Sequence, residues 1–132
     1  MIYRFGIATT TKYTKKKPLK TILSLTKGVV HQLDVVFPPG PSGTLHVAIN
    51  DALHQAWPTN PEESFASDRD SISFREHYEL EAEPYELQAY TWLEAATYSH
   101  SCIIRIGILP RRILTPWLTT WWEKFTGWVT EH

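Results

Sequence analysis

Apolar and polar residues alternate with a period of two along much of this chain, the spacing of half-buried β-strands. Val29, His31, Leu33, Val35 and Phe37 fall on one side of an extended segment, and Val30, Gln32, Asp34 and Val36 on the other. Pro38, Pro39 and Pro41 cannot donate ladder hydrogen bonds, and Gly40 and Gly43 let the chain reverse, so the strand ends there. Leu45, Val47 and Ile49 then alternate with His46, Ala48 and Asn50. The two limbs read as neighbouring strands of one antiparallel sheet, joined at a proline-rich corner.

The same pattern predicts strands at Ile2–Thr10, Leu19–Leu25 and around HQAW. Short ones follow at Ile72–Phe74 and Tyr78–Leu80, with longer ones at Tyr85–Leu93 and Ser99–Leu109. Ser99–Leu109 is apolar on both sides, which predicts a central strand covered on both faces. TKYTKKKP (11–18) has no apolar periodicity and reads as an exposed basic arm or loop; PTNPEESFASDRD reads as a long surface loop. Seven to nine strands without intervening helices predict an all-β antiparallel sandwich, jelly-roll-like, over residues 1–110.

Beyond Pro110 the period changes. Thr115-Pro116 suits a helix start, and Trp117, Leu118, Trp121, Trp122, Phe125, Trp128 and Val129 recur at helical spacing, predicting a short amphipathic extension over 111–132. Such a helix carries more apolar surface than a completed sandwich needs. Trp117, Trp121, Trp122, Phe125 and Trp128 are therefore candidate docking residues for a partner chain. Its polar face is threonine-rich and only Lys124 on it is basic, with Arg111 and Arg112 upstream, so protein docking is expected rather than membrane binding.

The 132 residues suffice for one domain, and the single cysteine, Cys102, excludes an internal disulfide framework or a four-thiolate zinc site. The start lacks a signal-peptide pattern and no apolar run approaches membrane-spanning length, so residence in the cytoplasm, or in something assembled there, is expected. The net charge of −1 conceals polarity. Residues 1–30 carry seven basic side chains and no acid; residues 50–95 carry eleven acids against Arg69 and Arg75. That asymmetry can orient identical subunits, with Lys15, Lys16 and Lys17 as an electrostatic grip. With Tyr13 alone interleaved among the lysines, no specific nucleic-acid binding is expected.

Catalytic signals are sparse. The jelly-roll metalloenzymes called cupins place two histidines one residue apart on a strand, whereas here His46 is followed by Ala48 in the partner's place. No nucleophile elbow, Cys-His signature or phosphate-cradling glycine loop appears. The expectation is therefore no enzyme, no metal and no cofactor. A small jelly-roll enzyme, which would need a bound metal, is a third reading. The aromatic residues leave another: Trp57, Tyr90 and Trp92 could form the stacking platform of a carbohydrate-binding module.

KGVVHQLDVVFPPGPSG, LHVAI, HQAWPTNP, SISF, YELEAEPYELQAYTW and IRIGILP together resemble small β-sandwich structural proteins in the virions of tailed bacteriophages and related viruses. The resemblance covers residues 20 to 110 and brings no catalytic residues. It implies a non-enzymatic decoration, minor capsid or connector-type subunit, assembled in the host cytoplasm. Its partners would be copies of itself and other structural subunits, in a homo-oligomer, with no membrane.

Overall fold

The computed structural model describes residues 1–110. The docking helix expected over 111–132, with Trp117, Trp121, Trp122, Phe125 and Trp128, lies outside the described residues. Within them the chain forms eight strands: β1 (Ile2–Thr9), β2 (Leu19–Ser24), β3 (Gly28–Phe37), β4 (Leu45–Asp51), β5 (His54–Trp57), β6 (Asp70–Leu80), β7 (Glu86–Leu93) and β8 (His100–Leu109). They build two antiparallel four-stranded sheets, the first in the order β1-β8-β3-β6 and the second in the order β2-β7-β4-β5.

All eight strands feed one core. Ile7, Val30, Leu33, Val35, Phe37, Ile104 and Ile106 enter it from the first sheet, and Leu23, Leu45, Val47, Ile49, Leu87 and Ala89 from the second. These are the alternate, apolar positions, so burying one side of each strand removes them from water together. Polar links also cross from sheet to sheet. Thr9 on β1 and Thr91 on β7, both fully buried, share a 2.8 Å hydroxyl hydrogen bond. Tyr78 on β6 donates its hydroxyl to Asp51 at 2.6 Å, and with that carboxylate burial pushes the phenol up to about 12. Cys102 lies in the core, where burial raises its thiol to about 12 and keeps it protonated.

Four features differ from the sequence expectations. The proline-rich corner does not join neighbours in one sheet: β3 belongs to the first sheet and β4 to the second, so the corner carries the chain across. Asp68 fastens it by accepting the N–H groups of Gly40 (2.8 Å) and Ser42 (3.1 Å), and those two bonds hold its carboxyl below the ordinary carboxylate range. The two short strands expected over 72–80 are one strand, β6: Arg75, Glu76 and His77 are exposed and interrupt the apolar pattern, and the register with β3 shifts at Glu76 and His77, but pairing resumes on both sides.

His31 does not share a face with Leu33. A bulge between Val30 and Gln32 switches the alternation, so Val30 enters the core before it and Leu33 after it. Gly107 on β8 makes room for the bulged imidazole: a Cβ there would stand 2.8 Å from His31 Nε2. Finally, β8 is central in its sheet but not covered on both faces. Cys102, Ile104, Ile106 and Ile108 are buried, whereas Ser101 and Arg105 on the other face are exposed.

Candidate functional site

The second sheet turns Leu45, Val47 and Ile49 inward, which leaves His46, Ala48 and Asn50 on its outer face. On β7, Leu87, Ala89 and Leu93 go inward and leave Gln88, Tyr90 and Trp92 outside. Register pairs His46 with Trp92, Ala48 with Tyr90, and Asn50 with both Gln88 and Gln55. Ala48 thus offers a methyl where its neighbours carry rings and amides. The missing bulk leaves a groove of about 180 Å³, floored by Ala48 and walled by Tyr90, Trp92, Asn50 and Gln55.

Two loops complete the rim. The loop between β1 and β2 supplies Lys15, and the loop between β5 and β6 supplies Glu62 and Glu63. Both loops are held down. Tyr13 O accepts the N–H of Leu93 at 3.2 Å, and Thr14 and Lys17 exchange backbone hydrogen bonds, so the lysine-rich segment is a closed loop lying on β7. Lys15, Lys16 and Lys17 all remain exposed, and Lys15 alone of the three lines the groove. The second loop is tied by Gln55, whose amide nitrogen lies 2.8, 3.2 and 3.1 Å from the carbonyls of Pro58, Asn60 and Glu63. Val47 and Phe65 exchange backbone hydrogen bonds of 2.9 and 2.8 Å, laying the loop's end along β4.

Beside the groove stands a compact polar cluster that the sequence reading missed. The imidazole of His46 stacks on the indole of Trp92, with centroids 5.5 Å apart and planes 6° from parallel. Ser64 Oγ lies 2.9 Å from His46 Nδ1, Glu94 Oε2 lies 3.4 Å from Nε2, and Trp92 Nε1 donates to Glu94 Oε1 at 3.2 Å. Its members come from β4, the end of β7 and the long loop. No sequence spacing links them; the His46–Trp92 register does.

The structure separates the three aromatic residues expected to form a glycan platform. Trp57 is 3% exposed and belongs to the core, where it packs against Phe74 and Tyr78 of the first sheet and donates Nε1 to Glu76 at 3.1 Å. That bond, with the N–H of His77, holds the Glu76 carboxyl below its usual range. Tyr90 and Trp92 do share the groove, but Trp92 is 6% exposed and its ring is engaged by His46. A flat platform of Trp57, Tyr90 and Trp92 is therefore corrected: Trp57 packs inside, and the other two wall a narrow recess.

A second hollow, of about 410 Å³, lies at the ends of β4, β6 and β7. Asp51, Glu79, Glu81, Glu83 and Glu86 contribute to its lining, with no lysine or arginine among the described lining residues. Among the described residues, no three histidine, cysteine, aspartate or glutamate side chains converge to hold a metal ion. Nor is any helix among them long and apolar enough to cross a membrane.

No family model matches this sequence, and no curated protein matches it. A solved structure with a similar course is the hydroxypropylphosphonic acid epoxidase from S. wedmorenis, 10% identical, with a TM-score of 0.40. The match covers 80% of this chain and 43% of the epoxidase, so the chain spans less than half of that protein's length. The neighbour is an enzyme, not a virion protein, and that overturns the expectation of a non-enzymatic virion subunit. Neither that role nor the statement that the chain is no enzyme is retained. At this level of similarity the epoxidase lends the chain no substrate, metal or reaction.

Proposed function

We propose that the two sheets form a jelly-roll-like sandwich whose second sheet binds a compact polar organic ligand on its outer face. The observation that carries this is the Ala48 groove: a recess framed by two aromatic rings and two side-chain amides, and rimmed by one ammonium and two carboxylates. Small-molecule sites commonly combine apolar walls with a few polar groups that fix orientation. At about 180 Å³ the groove is smaller than the roughly 300–1,000 Å³ of drug-sized sites, so it suits a single small ring or an amino-acid-sized molecule.

Charge narrows the class further. Lys15 stands against Glu62 and Glu63, and the faces of aromatic rings attract cations, so neutral or cationic ligands are favoured over anions. The test is an NMR titration of the full chain with panels of neutral, cationic and anionic molecules of this size, read at the Ala48 methyl and the Trp92 indole N–H. Saturable shifts at both, from neutral or cationic compounds, support the reading. Absence of shifts across the panels, or shifts confined to anions, contradicts it.

A further inference from the structure

We propose that Ser64 is a nucleophile activated by His46 and Glu94, and that this site cleaves small esters. The argument begins with tautomers. A carboxylate only accepts hydrogen bonds, so the imidazole nitrogen facing Glu94, Nε2 at 3.4 Å, carries the proton. In a neutral ring Nδ1 is then bare and accepts the hydroxyl of Ser64, 2.9 Å away. Nucleophile and base are within hydrogen-bond distance and a carboxylate lies 3.4 Å from the base's other nitrogen, the set of neighbours that lets a serine hydroxyl lose its proton as it attacks.

The base is held from several directions. Trp92 lies flat against the imidazole, and its Nε1 fixes the second oxygen of Glu94, leaving the first for His46. Trp92 is thus a positioning residue. Ser64 is half-buried on the loop that also places Glu62 and Glu63 on the groove, so the hydroxyl stands beside the recess rather than under it.

The chemistry closes with water alone. Ser64 Oγ bonds to the ester carbonyl carbon while its proton passes to His46 Nδ1. The bond from that carbon to the alcohol oxygen breaks, and the departing alcohol takes the proton. Water then attacks the acyl-Ser64 ester with His46 again as base, releasing the carboxylic acid and restoring the hydroxyl. The net change is ester plus water to acid plus alcohol. The location of the substrate's polar portion rests on the groove reading; the nucleophile itself does not.

The experiment is reaction of the full-length protein with a small alkyl fluorophosphonate, followed by intact mass and peptide mapping. In that reaction Oγ–P forms, P–F breaks and HF leaves. The expected result is one adduct per chain, at Ser64, absent from Ser64→Ala. Its rate should fall at least tenfold in His46→Gln and severalfold in Glu94→Gln, each checked for folding by circular dichroism. The Glu94 side chain is half exposed, so its variant keeps the test in force if His46→Gln does not fold. No adduct at Ser64, or equal rates in wild type and Glu94→Gln, overturns the proposal. So small a probe does not need the groove, which keeps this outcome separate from the ligand titration.

Discussion

The outer faces of the two sheets differ although their inner faces do the same work. Across the first sheet, register aligns Arg4, Arg105, Asp34 and Ser73 in one row, with the Arg105–Asp34 pair at 3.3 Å. Across the second, rings and amides surround a single methyl, and two loops fold over them. Both inner faces are mainly aliphatic and buried. The contrast teaches that the core assigns no function here: either sheet supplies it equally, and among the described residues only the second sheet has its outer face shaped by side-chain size and rimmed by tethered loops.

The hardest break of that contrast is Trp57→Ala. As a core residue it should cost about 3–5 kcal/mol in denaturant unfolding, whereas a surface platform residue would cost little and lose only ligand. Leu87→Ala and Ile104→Ala, one from each sheet, are each expected to cost about 2–5 kcal/mol. A large inequality between them would deny that the two inner faces are equivalent.

Tyr78→Phe tests the link between the sheets, with an expected loss of about 1.5–3 kcal/mol for a hydrogen bond to a charged partner. Because the fold raises the Tyr78 phenol from 10.0 to about 12, its stabilising contribution is full below pH 10 and is lost between about pH 10 and 12. Unfolding followed through that range should show a fall in wild type that is smaller in the phenylalanine variant. Glu76 acts at the other end. Its carboxyl is lowered from 4.5, so its contribution is present above that value and disappears as pH falls below it, a dependence that Glu76→Gln should remove. The smallest effect belongs to the first sheet's outer face: Arg4→Ala, at an exposed position, should change stability by no more than about 0.5 kcal/mol and leave ligand binding unaltered.

Alternation made the strands legible because each buries alternate side chains; β1, β2, β3 and β7 lie within a residue or two of their expected bounds. It could not reveal which sheet a strand joins. The turn chemistry of Pro38–Gly43 fits a hairpin or a crossing equally, and the difference lies in long-range pairing. Nor did alternation reveal the bulge at His31, because Val30 and Val35 are both apolar on either side of the shift. Trp57 and Trp92 are chemically identical in the sequence; only pairing sends the first to Ile49 and inward, and the second to His46 and outward.

The groove was hidden for a related reason. Its defining residue is an alanine, and a small side chain gains meaning only from the larger ones that register sets beside it. Ser64, likewise, is one of two serines in an acidic loop until Phe65 pairs with Val47 and carries it to His46.

Ala48→Leu tests the central claim most directly, because it fills the groove with apolar bulk while leaving both inner faces intact. Its melting temperature and its dissociation constant for the strongest ligand from the titration are to be measured beside wild type. The account predicts a melting temperature close to wild type and an affinity at least tenfold weaker. Unchanged affinity in a folded Ala48→Leu protein would place binding elsewhere and contradict it.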